Sequence, residues 1–265
     1  VFAANRASSR IAVSIEASAG ASRPKRVREE GSLRVRFPST LSDELEAVVV
    51  NTAGGIAGGD DLELAFSAGP GARLAVTGAA AEKVYRSLGP DASMRVKLDI
   101  ATGATLAWLP QETIVFDRAR MNRSIEVDLA ADARLILAEA VIFGRSGMGE
   151  RVESGFVLDR WRVRRDRRLL FADALRLDGA IAEKLAAPAC ANGAVAVASV
   201  LVVPGDDALV DCVREQTFAG EVGISAWNGF ALARLVADTG AKLRQDLVTL
   251  LMRLRAGCLP RLWLN

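Results

Sequence analysis

Gly71-Ala72-Arg73-Leu74, Gly103-Ala104-Thr105-Leu106 and Asp132-Ala133-Arg134-Leu135 are three versions of one turn, starting at positions 71, 103 and 132. Each follows an alternating apolar stretch, Leu62-Leu64-Phe66, Val96-Leu98-Ile100 or Ile125-Val127-Leu129, and each leads into a second apolar stretch. A period of two marks a strand with one buried face. A lone hairpin is marginal in water, so repeated strand-turn-strand units have to stack and bury a common face. The expected fold is therefore mainly β, with stacked antiparallel β-sheet layers built from repeated hairpins.

Outward from the repeat, the same signal covers Leu33-Val35-Phe37 and Leu45 to Val50 on one side. On the other it covers Leu135 to Phe143, Arg151 to Val163, Leu169 to Leu177 and Val195 to Val203. Then the period changes. Asp206 is placed to cap a short helix reaching about Thr217, and Thr239 to cap a longer one carrying Leu243, Leu247, Leu250, Leu251 and Leu254 at helical spacing. With Phe230 to Val236 read as a strand between them, the chain ends in a β-α-β-α tail with two C-terminal α-helices. Residues 1–30, rich in Ala, Ser and Arg and including Arg23-Pro24-Lys25-Arg26, read as a flexible N-terminal arm, and 31–265 as a single domain.

Composition removes several classes of chemistry. The 265 residues include no histidine, so Ser-His-Asp and Cys-His nucleophile systems and His-bearing zinc sites are excluded. Cys190, Cys212 and Cys258 form no C-x-x-C pair, which argues against a disulfide framework or thiolate cage. A net charge of +2 provides no global field for nucleic acid or an anionic membrane. No apolar run approaches the ~20 residues of a bilayer span, and no secretory h-region opens the chain; the reading is cytoplasmic.

Four positions carry acids where acids are costly or pointed. Asn51-Thr52-Ala53-Gly54-Gly55-Ile56-Ala57-Gly58-Gly59-Asp60-Asp61 ends a strand in two glycine pairs followed by two acids, which calls for unusual backbone geometry or close approach. Glu139 lies in Leu135-Ile136-Leu137-Ala138-Glu139-Ala140-Val141-Ile142-Phe143, where either strand register buries it. Asp173 repeats the case within Leu169 to Leu175. Two readings stand side by side: each buried acid pairs with an arginine, or the acids line a polar interior path for a cation held by oxygen ligands.

Other motifs are weaker. Glu82-Lys83-Val84-Tyr85-Arg86 places the only tyrosine between cations. Gly144-Arg145-Ser146-Gly147-Met148-Gly149-Glu150 fails as a nucleophile elbow and as a phosphate loop, leaving a plain turn or a mobile loop that presents Arg145 and Glu150 to a partner. Alternation sends Arg160, Arg162 and Arg164 to one face; with Trp161 as the lone aromatic there, a solvated or protein-binding face outweighs an RNA groove.

Taken in order, Asn51 to Asp60, Glu82 to Ser87, Trp108-Leu109-Pro110-Gln111-Glu112-Thr113-Ile114, Phe143-Gly144-Arg145 with Gly149-Glu150, and Leu259-Pro260-Arg261-Leu262-Trp263 resemble the UreD (UreH) family of urease accessory proteins. The resemblance spans about Gly31 to Asn265. It implies a mostly β body with two helices near the C-terminus and a protein that is not an enzyme. The implied role is a nickel-insertion chaperone, with no permanently bound cofactor and nickel in transit. The implied partners are the urease apoprotein, a UreF-type helical accessory protein and a UreG-type GTPase. The family's internal nickel path maps to Asp60, Glu82, Glu139 and Asp173, with no catalytic residue. Glu82 departs from the small hydroxyl residue of some relatives. Gly54, Gly55, Gly58, Gly59, Lys83, Tyr85, Arg86, Gln111, Glu112, Arg145 and Glu150 are the expected partner-binding or structural positions. The alternatives are a protein-interaction scaffold without a metal path, and an enzyme binding a phosphorylated ligand at the Gly-rich loop.

Overall fold

The computed structural model describes residues 6–39, 42–255 and 257–264. Its first strands are β1 (Ser8–Ser18), β2 (Ala21–Glu30), β3 (Leu33–Arg36), β4 (Leu45–Asn51), β5 (Asp61–Ala68) and β6 (Arg73–Gly78). There follow β7 (Glu82–Val84), β8 (Ala92–Ile100), β9 (Thr105–Leu109), β10 (Thr113–Val115), β11 (Arg120–Leu129), β12 (Arg134–Phe143), β13 (Ser154–Arg165) and β14 (Arg168–Ala180). The chain finishes through α1 (Ile181–Ala186), β15 (Ala196–Val203), α2 (Asp207–Arg214), β16 (Glu221–Trp227), β17 (Phe230–Ala237) and α3 (Gly240–Leu254).

The protein is mainly β, as expected, but the repeated units are coils rather than hairpins. At each repeated turn the chain crosses from one sheet to the other: β5, β8 and β11 lie side by side in a first sheet, and β6, β9 and β12 in a second. Successive coils therefore pair in parallel, Leu64 beside Val96 and Val96 beside Ile125. The turns stack as well. The Gly71 amide donates to the Thr102 carbonyl, the Gly103 amide to Asp132 Oδ1, and the Thr105 amide to the Ala72 carbonyl. Antiparallel pairing is confined to the margins, where β1 meets β2, β3 meets β4, β13 meets β14, and β12, β15, β17 and β16 form the end of the second sheet.

The first sheet runs β14-β13-β11-β8-β5-β1-β2 and the second β16-β17-β15-β12-β9-β6-β4-β3, with β10 and β7 branching off β12. Leu62, Leu64 and Phe66 point between the sheets, joined by Val96, Leu98 and Ile100 and by Ile125, Val127 and Leu129. The centre of the second sheet, β12, β15 and β17, is largely buried on both faces. Leu243, Leu247, Leu250 and Leu251 of α3 and Val210 and Val213 of α2 cover Val200, Val202, Ala233 and Leu235, which is why β15 reads as an apolar run interrupted only by Ser199.

Both expected helix caps are present: Asp206 accepts from the Leu209 amide and Thr239 from the Lys242 amide. The tail also holds β16, which pairs with β17, and the short α1, neither of which the sequence pattern disclosed. The arm expected over 1–30 is corrected for Ser8–Glu30. β1 inserts between β5 and β2, with Ile11, Val13 and Ile15 at most 3% exposed. A run whose apolar residues alternate among Ser and Arg is a half-buried strand, and composition alone hid that alternation. Residues 1–5 of that arm lie outside the described residues.

Candidate functional site: a charged seam between the sheets

An open trough of about 1260 Å³ lies over the coil ends near Glu16, Gly69, Asp99 and Asp128. The unusual chemistry lies elsewhere, inside the sandwich. Arg123 of β11 is 2% exposed, and its phase with Met121, Ile125 and Val127 turns it inward. Its Nη2 donates to Asp159 Oδ2 of β13 at 2.6 Å, its Nη1 to Thr113 Oγ1 of β10 at 3.2 Å, and Nη1 also lies in ion contact with Glu139 Oε2 of β12. Trp108 Nε1 donates to Glu139 Oε1 at 2.8 Å and Trp161 Nε1 to Asp159 Oδ1 at 3.2 Å. Arg123 Nε is left without an acceptor.

One guanidinium thus serves two carboxylates between the sheets, so ionisation of both leaves an excess negative charge. Burial pushes the Glu139 carboxyl above its ordinary range; Arg123 pulls it back, and Asp159 adds to the rise. In the second sheet Glu139 lies beside Ser199 and Ser199 beside Arg234. Arg234 Nη2 in turn donates to Asp173 Oδ2 of β14 at 2.6 Å. Glu139, Asp159, Trp161, Asp173, Ser199 and Arg234 surround a cavity of about 30 Å³, room for about one water.

At the other end, Thr113 is the register neighbour of Glu82 on β7. Asn51 Nδ2 donates to both Glu82 oxygens, at 3.1 and 3.2 Å. Among the described residues no cation makes a salt bridge to Glu82. Its carboxyl is pushed up to about 7, first by burial, against the bonds from Asn51 and the Lys83 amide.

Glu82, Glu139 and Asp173 therefore share one seam, and both buried acids of the strand readings found arginines, Glu139 through Arg123 and Asp173 through Arg234. Asp60 stands apart from the cavity. Its Oδ1 accepts from the Ala7 amide and its Oδ2 from the Ala57 amide, at 2.8 and 2.7 Å, so it pins the glycine-rich turn to the entry of β1. Within that turn, a Cβ on Gly55 would meet the Tyr85 ring, with Cζ at 2.8 Å, and one on Gly58 would meet the Pro90 carbonyl oxygen at 2.6 Å. Close approach is the reason for these glycines. Tyr85 packs edge-on against Phe116 and its hydroxyl donates to the Gly54 carbonyl, while Lys83 and Arg86 are exposed.

Gln111 and Glu112 are buried and accept from Arg244 Nη1 of α3 at 2.7 and 2.9 Å; Nη2 of the same arginine holds the Leu262 carbonyl. They fasten the C-terminal segment. Arg145 Nε donates to Glu150 Oε2 at 2.6 Å and its guanidinium lies 4.1 Å above the Phe116 ring, so this loop is closed by its own ion pair.

Arg123 and Asp159 were missed as site residues. The signal was available: Met121-Arg123-Ile125 and Val157-Asp159-Trp161 put both charges in the apolar phase of their strands. Among the described residues no group of three or more His, Cys, Asp or Glu is arranged to hold a metal ion, and no helix is long and apolar enough to cross a membrane.

Fold and seam together define a two-sheet β-coil protein whose interior charges are paired across the layers. The family model described as UreD urease accessory protein matches residues 7–264. The urease accessory protein UreD of Rhodopseudomonas palustris strain BisA53 is 55% identical, over 100% of this chain and 93% of that protein. UreD of Bradyrhizobium diazoefficiens is 52% identical, over 100% of this chain and 96% of its own. The chain belongs to the UreD family of urease accessory proteins.

Proposed function

We propose that this chain serves urease maturation without catalysis of its own, holding an accessory complex on the urease apoprotein and passing nickel toward its metallocentre. A UreF-type helical protein and a UreG-type GTPase are the other members of that complex. The observation that carries the reading is the charge imbalance of the seam, two carboxylates on one buried guanidinium beside a cavity that also reaches Asp173. A divalent ion entering there meets oxygen ligands too few to trap it, and release of Asp173 by Arg234 at the rim frees one more. Glu82 continues the seam at the opposite end. Asp60 acts as a turn anchor.

A scaffold with no metal path is favoured by a different observation: both arginines already occupy the carboxylates, and the cavity admits about one water. Co-expression with the urease subunits and both accessory partners tests the scaffold, and recovery of no joint complex refutes it. Asp173→Lys separates the two readings, because Asp173 is half-buried at the rim and its loss removes one oxygen ligand; a thermal melt of the variant checks that the fold survives a second cation beside Arg234. A nickel path predicts intact complexes with urease that is poor in nickel. Full nickel loading leaves the scaffold alone.

A further inference from the structure

The two sheets do not end together. β14, the last strand of the first sheet, lies over β17: Asp173 reaches Arg234, and the Phe171 and Phe230 rings are 5.3 Å apart. The second sheet continues one strand further, to β16. Gly223 of β16 is the register partner of Arg234, so both face the first sheet, as do Glu221, Ser225 and Trp227. All four of these β16 residues are exposed, and a Cβ on Gly223 meets nothing within 4 Å. The opposite face of β16 is packed, with Ile224 buried under the helices.

Beside this uncovered floor runs the free edge of β14. It pairs with β13 on one side, with Leu170 skipped at a bulge, and among the described residues no strand pairs with the other side. A strand added there, at the usual ~4.8 Å spacing, would lie above β16. The step between the sheets has the shape of one absent strand, and an open edge of this length is a template for pairing.

Charge says what would fill it. On the solvent face, Arg160 and Arg162 of β13 are exposed, and their neighbours on β14 are Ala174 and Ala172. Alanines leave the Arg162 guanidinium room to reach over β14 toward the next strand position, and Arg160 can follow by giving up its long bond to Asn122 Oδ1 of β11, at 3.4 Å. Arg167 and Arg168 add to the same rim and outnumber the neighbouring Asp166; the nearby acids Glu126 and Asp178 are engaged by Arg164 and Arg176.

We propose that this step accepts a β-strand from a partner protein: an extended segment with acidic side chains on its outward face and apolar ones toward β16. Main-chain pairing to β14 supplies the affinity, and the arginines and the Gly223 floor supply the selectivity. The proposal stands whether or not the chain carries nickel.

The test uses the full chain and a fluorescein-labelled octapeptide of alternating valine and glutamate, followed by anisotropy and by amide exchange of β14. Expected are saturable binding at least tenfold tighter than to the valine-lysine counterpart, and slowed exchange within 170–176. Arg160→Glu with Arg162→Glu, and separately Gly223→Trp, should each weaken binding at least tenfold with the melting temperature unchanged. Absence of saturable binding overturns the proposal, as does equal affinity for the lysine peptide. Binding that ignores Gly223→Trp or leaves β14 exchange unaltered reduces the site to a charged surface and overturns strand addition. A concentration-dependent dimer abolished by Gly223→Trp makes a second copy the occupant and overturns the acidic partner.

Discussion

Glu82→Gln removes the one carboxylate of the seam that faces no salt-bridging cation among the described residues. In the folded protein its carboxyl is pushed from 4.5 to about 7, by burial above all. The folded state therefore holds a proton between those values that the unfolded chain has released. The stability this brings is full below pH 4.5, is lost as pH rises through the window, and is gone above about 7. At about 1.4 kcal/mol per pH unit, the gap caps the effect at about 3.4 kcal/mol. The partial solvent contact of the side chain brings the expectation down to about 1–2 kcal/mol. Glutamine has the shape of the neutral acid and still accepts from Asn51 Nδ2. Urea unfolding followed by tryptophan fluorescence should find the variant about 1–2 kcal/mol more stable at pH 8 and within about 0.5 kcal/mol of the parent at pH 4.5. Its stability should also fall less steeply between pH 5 and 7.5, with Glu139 and Glu46, both also raised by burial, contributing to the remaining slope. A variant no more stable at pH 8, with an unaltered slope, refutes the assignment of an uncompensated charge to this position.

Arg123→Met leaves Glu139 and Asp159 buried without their cation and should cost about 3–5 kcal/mol in urea unfolding. Adding Glu139→Gln and Asp159→Asn should restore most of it, whereas failure of that rescue would show that Arg123 contributes through packing. Gly58→Ala drives a methyl group onto the Pro90 carbonyl and should cost about 2 kcal/mol. The added methyl would also meet the Ser87 side chain, but Ser87→Ala should not recover the loss, because the Ser87 Cβ and the Pro90 oxygen, each 2.6 Å away, both remain; thermal melts of the single and double variants check both statements.

Much of the architecture was legible because period-two patterning is a local property. Leu62-Leu64-Phe66 and its two counterparts fall where expected, and Asp206 and Thr239 cap as their positions foretold. What alternation does not encode is where the chain goes after a turn. Gly71 and Gly103 suit a hairpin and a crossing between sheets equally well, and only pairing with a strand one repeat away decides for the coil. The burial of Glu139 followed from its apolar neighbours on both faces. Its partners did not, since Arg123 and Asp159 come from the facing sheet. Asp60 is buried for a reason unrelated to the seam: its carboxylate satisfies two backbone amides.

The position of β1 has a consequence for how the chain is made. Ile11 is synthesised well before its parallel neighbour Leu64, which follows only after β3 and β4 have been completed. Until then the emerging hairpin has an apolar face and nothing to cover it, and a ladder closed over such a distance forms slowly. Changes that disturb β1 therefore act on an interior strand of the sheet rather than on a loose end, and their first symptom should be poor yield of soluble chain.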